Sequence, residues 1–129
     1  MKKIEVSTDK KYQLVNITKE VDSCVKDLES GIVNIFTTHT TAGILITEDE
    51  KNLKKDWLNI LSSKLKDERF LHDKIDDNAR SHILAGLISP GETLPVERGA
   101  ILGRWQNIFL VELDGPRNRK VIIKSIKND

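Results

Sequence analysis

The stretch FTTHTTAGILITEDE, residues 36–50, decides how the chain is read. It sets five threonines, one histidine and three acidic residues around a single apolar run. Thr37, Thr38, Thr40 and Thr41 bracket His39, and β-branched threonines favour extended backbone. His39 is therefore expected in or just beyond a strand, held rigidly. Residues 42–46 read as a buried strand. Glu48, Asp49 and Glu50 then open a helix, where acids complement the positive end of the dipole. A histidine among hydroxyls, with a carboxylate at a strand-to-helix corner, suits chemistry. A polar strand edge carrying a solvated imidazole explains the same residues.

Upstream, residues 4–7 and 12–17 look like short strands joined by the polar Thr8-Asp9-Lys10-Lys11, which predicts an N-terminal hairpin. Thr18 is placed to cap the next helix. In that helix Val21, Val25 and Leu28 recur at helical spacing, with Cys24 on the same side as a small core residue. Ser30-Gly31 reads as its end. Residues 32–38 alternate as a central strand leading into the His39 corner.

Downstream, residues 49–65 form a helix with the apolar stripe Leu53, Trp57, Leu58, Leu61 and Leu65. Residues 66–78 show no period and carry His72 and the pair Asp76-Asp77; long irregular stretches of this kind are often functional. Asp77 or Asn78 caps a short helix over 79–87, which places His82 on the same side as Asn78. The remainder is β structure: 92–96 as an edge strand containing Pro95, a turn at Arg98-Gly99, a buried strand over 108–113, a turn at Asp114-Gly115-Pro116-Arg117 and a last strand over 119–126. The order of elements predicts a single α+β domain with three helices and an antiparallel or mixed sheet.

A chain of 129 residues suits one core. Its 21 basic and 20 acidic residues nearly cancel, so no global field draws it to nucleic acid or to a membrane surface. A local cluster must hold any anionic ligand. One cysteine excludes an internal disulfide and fits a reducing cytoplasm. No run approaches a membrane span or a signal peptide.

His39, His72 and His82 occupy the segments least explained by packing. Three imidazoles plus water would suit a zinc-type metal, although zinc-finger and HExxH spacings are absent; separate solvated or core histidines remain the alternative. Arg117 and Arg119, two apart in extended chain, face one way and suit a phosphate or carboxylate, or a solvated strand end. No phosphate loop, dinucleotide fingerprint, nucleophile elbow or CxxC is present.

Taken together, HTTAGILITEDE (39–50), HDKIDDNARSH (72–82), GRWQ (103–106) and DGPRNRKV (114–121) resemble the YjbQ family in order and over nearly the whole chain. The resemblance implies an α+β fold with a sandwich-like core, assembly as a homotrimer, and a secondary thiamine-phosphate synthase activity. It carries over to His39, Thr40 and Thr41, to His72, Asn78 and His82, and to Trp105, Gln106, Asp114, Arg117 and Arg119. Arg104 departs from the family, which more often has a small residue there. With it, the three histidines are expected in one site, as metal ligands. Thr40, Thr41, Asn78, Gln106, Arg117 and Arg119 are expected to bind the ligand. His39 or His82 would move a proton, and Arg117 and Arg119, with a divalent ion, would neutralise a diphosphate. Diphosphate chemistry favours Mg²⁺ and three imidazoles favour a zinc-like ion, a tension that marks thiamine-phosphate synthesis as a candidate side activity. Two other expectations stay open. One is a metal-dependent hydrolase or lyase of a small phosphorylated or carboxylated compound, with a His-bound metal activating water and Glu48 or an Asp as base. The other is a non-catalytic trimeric binding protein.

Overall fold

A computed structural model describes residues 1–129. Seven strands form two antiparallel sheets. The first has the order β1 (Lys2–Ser7), β7 (Asn118–Lys127), β3 (Ser30–Thr37), β5 (Gly91–Glu97); the second has the order β2 (Gln13–Asn16), β6 (Gln106–Glu112), β4 (Ala42–Glu48). Three helices complete the fold: α1 (Thr18–Val25), α2 (Lys51–Ser63) and α3 (Ala79–Ile88). The expected α+β sandwich is present, and every strand pairing in it is antiparallel.

The alternation of side chains assigns the faces. Val33 and Ile35 of β3, Val121 and Ile123 of β7 and Leu94 and Val96 of β5 point inward to Ile44 of β4 and Ile108 and Leu110 of β6. Val21 and Val25 of α1 join this core. On the far side of the second sheet, Val111 and Leu113 pack against Leu61 of α2 and Leu84 and Ala85 of α3. The layers are thus sheet, sheet and helices, and residues 108–113 are buried because both their faces are covered.

Several local expectations are corrected. β1 and β2 do not form a hairpin: β1 pairs with β7 and β2 with β6. The intervening residues carry the chain between the sheets, because both strands find longer apolar partners elsewhere. Thr18 does not cap α1; its hydroxyl accepts from Ile108 N at 2.9 Å and ties the helix to β6. Gly31 lies within β3 and does not end α1. A Cβ there would come within 2.0 Å of Ile126 O, so glycine lets β7 approach closely. At α2 the acids do act as expected: the Glu50 carboxylate caps the helix by accepting from Asn52 N and Leu53 N. Pro95 lies on β5, an edge strand as its ring requires. The irregular stretch 66–78 contains one 3-10 turn, Leu71–Lys74. No helix is long and apolar enough to cross a membrane.

Candidate functional site

The inward faces of β3, β6 and β7 stay apolar until the end of the sandwich where β3 leaves for β4. There the inward positions become polar: Thr37, Glu112 and Arg119, joined by Thr41. Glu112 is fully buried and Arg119 is 2 % exposed. Arg119 Nε donates to Glu112 Oε1 at 2.9 Å and Oε2 at 3.1 Å, and Nη2 also meets Oε2. Nη2 reaches Thr41 as well, at 2.9 Å from its hydroxyl and 3.2 Å from its carbonyl. Glu112 further accepts from the Thr8 hydroxyl at 2.6 Å and from Leu113 N and Asp114 N. Burial pushes the Glu112 carboxyl up, but its bonds from Arg119, Thr8 and the backbone outweigh that and hold it below the ordinary range. This ion pair spans the two sheets and forms the floor of a cleft. Arg119 is thus corrected: it orders the wall of the site and is not a free arm paired with Arg117. Burial beside a carboxylate commits its fork inside the protein.

His39 stands on the rim. Main-chain pairing of β3 with β7 stops at Thr37 opposite Val121. The next residue of β7, Lys120, is satisfied by side chains instead. Its carbonyl accepts from the Thr37 hydroxyl at 3.0 Å, and its N–H donates to His39 Nε2 at 3.0 Å. With Nε2 accepting, neutral His39 carries its proton on Nδ1. Burial lowers its pKa, and the nearby Arg119, Lys120 and Arg117 cations lower it further, against the opposing Glu112. His39 is therefore built to stay neutral.

The opposite wall comes from the irregular stretch and α3. His72 Nε2 bonds Asn78 Oδ1 at 2.9 Å, and Asn78 Nδ2 donates to Asp114 Oδ2 at 3.3 Å. Because the amide nitrogen serves the carboxylate, its oxygen faces His72, which places the His72 proton on Nε2. The His72 and His82 rings meet edge to face, 4.8 Å between centroids. Asp114 also receives Arg117: Nε donates to its carbonyl at 2.8 Å and Nη2 to its carboxylate at 3.1 Å. Arg117 is half exposed and keeps further N–H groups without a protein partner.

These elements enclose an open polar cleft of about 710 Å³, into which His39, Thr40, Asn78, His82, Arg117 and Asn118 face. A more apolar groove of about 450 Å³ adjoins it, between Phe36 and Pro90 on one side and Ala85 and Gly86 of α3 on the other. Of the three histidines, His39 and His82 line the cleft, and His72 stands behind it against Asn78 and His82. Thr40 lies on its surface, while Thr41 is buried and spends its oxygens on Arg119.

Glu48 and Gln106 are not brought to it. They pair with each other at the far end of β4, about 20 Å along the strand from Ala42 at its rise per residue. Glu48 is exposed there, and the Gln106 side-chain Oε1 accepts from Gly103 N. Their assignment to this site is corrected: β4, which starts at Ala42 just after the His39 corner, carries its acidic end away from the cleft. Trp105 is exposed and stacks under Arg104, 4.8 Å from the guanidinium to the ring centre.

The residues fit a three-imidazole metal site only in part. His72 Nδ1 and His82 are unengaged, but the one lone pair of His39 already accepts from Lys120. No three His, Cys, Asp or Glu side chains surround a common point.

Glu112 is a site residue that the motifs do not point to; its one signal in the sequence is a lone carboxylate inside the apolar run NIFLVEL, residues 107–113. The role of Lys120 has no sequence signal, because it is carried by the main chain.

The chain is similar to known proteins over nearly its whole length. A UPF0047 protein of Archaeoglobus fulgidus is 36% identical over 125 residues, covering 95% of this chain and 98% of that one. One from Methanothermobacter thermautotrophicus is 38% identical, covering 92% and 85%. The crystal structure of a protein of unknown function from Sulfolobus solfataricus superposes with a TM-score of 0.94 at 37% identity, covering 98% of this chain and 96% of that one. The model of the family described as UPF0047 protein YjbQ-like matches residues 2–128. With the match running from the first strand to the last, the chain belongs to the YjbQ-like (UPF0047) family.

Proposed function

We propose that the cleft binds a small phosphorylated or carboxylated compound and that the protein acts on it as an enzyme. The observation carrying this is the meeting of three differently prepared groups: Arg117 with unpaired N–H donors, His39 held as a neutral Nδ1–H donor, and His82 with both ring nitrogens free. Arg117 neutralises the anion, its fork oriented by Asp114. His39 donates a hydrogen bond to charge that develops on an oxygen, as a fixed neutral donor can without losing its proton. His82, whose lone pair is unengaged, moves the proton.

The reaction we propose is the one the family resemblance implies, thiamine-phosphate synthesis. A pyrimidine diphosphate loses pyrophosphate as its methylene carbon bonds to the nitrogen of a thiazole phosphate. Arg117 and His39 would stabilise the leaving pyrophosphate. We also propose that the protein works as a homotrimer. On the outer face of the first sheet Ile32 and Ile126 stand directly opposite each other, both substantially exposed, and they form an apolar pair suited to another copy.

Calorimetric titration with pyrophosphate tests binding first. The parent protein should bind, Arg117→Lys more weakly and Arg117→Ala more weakly still, by roughly ten- to a hundredfold for loss of a charge-assisted contact. Incubation with both precursors then tests turnover by detection of thiamine phosphate, with His82→Ala as control. Binding without product would point to hydrolysis or elimination of another anion, or to a binding protein. Equal affinity of all three proteins for pyrophosphate would refute the site. Light scattering at micromolar concentration reads the assembly, and a monomer would refute the trimer.

A further inference from the structure

The polar cleft and the apolar groove are not separate. Thr38, His39, Thr40 and His82 line both, so the two spaces meet across the imidazoles. Beyond them the lining changes character, from Arg117 and Asn118 to Phe36, Ala42, Ala85 and Pro90. The Phe36 ring is 38 % exposed at the outer end of β3. It is set there by Gly91, where a Cβ would come within 2.8 Å of the ring. Facing it, α3 presents Gly86, whose missing side chain leaves open space: a Cβ there would touch nothing within 4 Å.

Glycine in an exposed helix costs about 1 kcal/mol relative to alanine, so local helix stability does not explain it. A residue with side chain at this position would occupy the groove.

We propose that the groove seats the apolar, ring-sized body of the same molecule whose anionic group Arg117 binds, and that Gly86 sets how large that body can be. The ligand class is therefore an organic phosphate or carboxylate with a flat apolar portion, its reacting bond lying over His39 and His82. This rests on the anion-binding reading above. Both spaces fall in the range of about 300–1,000 Å³ usual for small-molecule sites. The mixed lining matches the common pattern of an apolar pocket with a few placed polar groups.

The test compares methyl phosphate and phenyl phosphate by calorimetry on the parent protein and on Gly86→Phe and Gly86→Leu. Phenyl phosphate should bind the parent about tenfold tighter than methyl phosphate, from burial of its ring. Both variants should lose that advantage while holding methyl phosphate as the parent does. Thermal melts identify which variants are folded, and either one suffices. If the two phosphates bind the parent equally, or if a folded variant keeps the preference for phenyl phosphate, the inference is overturned and the anion site stands. If neither phosphate binds the parent, both readings fall together.

Discussion

Replacing Arg119 by methionine removes the cation from a pair in which both members are shut off from solvent. Side-chain exposure is 3 % for Arg119 and 0 % for Glu112. Arg119 also serves both oxygens of Thr41, so its loss leaves a buried carboxylate without its cation and the Thr41 hydroxyl without its donor, while the Thr41 carbonyl keeps Leu113 N. Breaking a buried pair on one side costs about 3–5 kcal/mol. Glu112 retains Thr8, Leu113 N and Asp114 N as donors, so the lower end applies, about 3 kcal/mol. For a chain of this size that lowers Tm by roughly 10 °C. The cost should depend on pH. In the parent, Glu112 titrates below its unfolded value, so its contribution is present above that value and lost only as pH falls through the folded one. Without Arg119, burial dominates and raises the carboxyl above its unfolded value. The folded variant then binds more protons than its unfolded chain, and it gains stability as pH falls from 7 toward about 4.5. Urea denaturation at pH 7 and pH 5 measures both terms. The gap between parent and variant should be narrower at pH 5. A cost under about 1 kcal/mol, or one equal at both pH values, would show that the pair does not hold the sheets together at the site.

Three further outcomes are expected. His39 has a folded pKa below its unfolded one, so its stability contribution is complete above about pH 6.5 and falls as pH drops toward the folded value; a His39→Gln variant should show a flatter Tm profile between pH 7 and 5, and ¹⁵N spectra of the parent should show His39 as the Nδ1–H tautomer. Gly31→Ala should cost about 3 kcal/mol by urea denaturation, because its Cβ would strike the Ile126 carbonyl, a main-chain atom that only moves with β7; a loss under about 0.5 kcal/mol would mean that β7 yields easily. Arg98 holds a left-handed φ of 56° while its side chain is exposed and its ion pair with Glu29 spans 3.7 Å; Arg98→Gly should therefore stabilise by about 1 kcal/mol, read as a higher urea midpoint.

Much of the architecture is legible without coordinates because it depends on local pattern. Period-two alternation in residues 32–38 and the apolar run at 108–113 mark the two inner strands, and the stripe from Leu53 to Leu61 marks α2, which ends before Leu65. Pro95 announces an edge because a residue without an N–H has no place within a sheet. The motifs around His39, His72 and Arg117 identify the family for the same reason, since short ordered segments are visible in one dimension. Pairing is a different kind of fact. Residues 4–7 and 12–17 carry a hairpin's signature, yet each strand joins a different sheet, because partners more than ninety residues away offer longer apolar strands. That choice puts Glu112 opposite Arg119 and turns a residue with the marks of a ligand arm into the floor of the cleft. It also decides that β4 carries Glu48 away from His39, although only nine positions separate them in the chain. Above all, the state of His39 depends on the N–H of Lys120, a group every residue but proline possesses. Only the end of the β3–β7 ladder leaves it free to take the imidazole's lone pair.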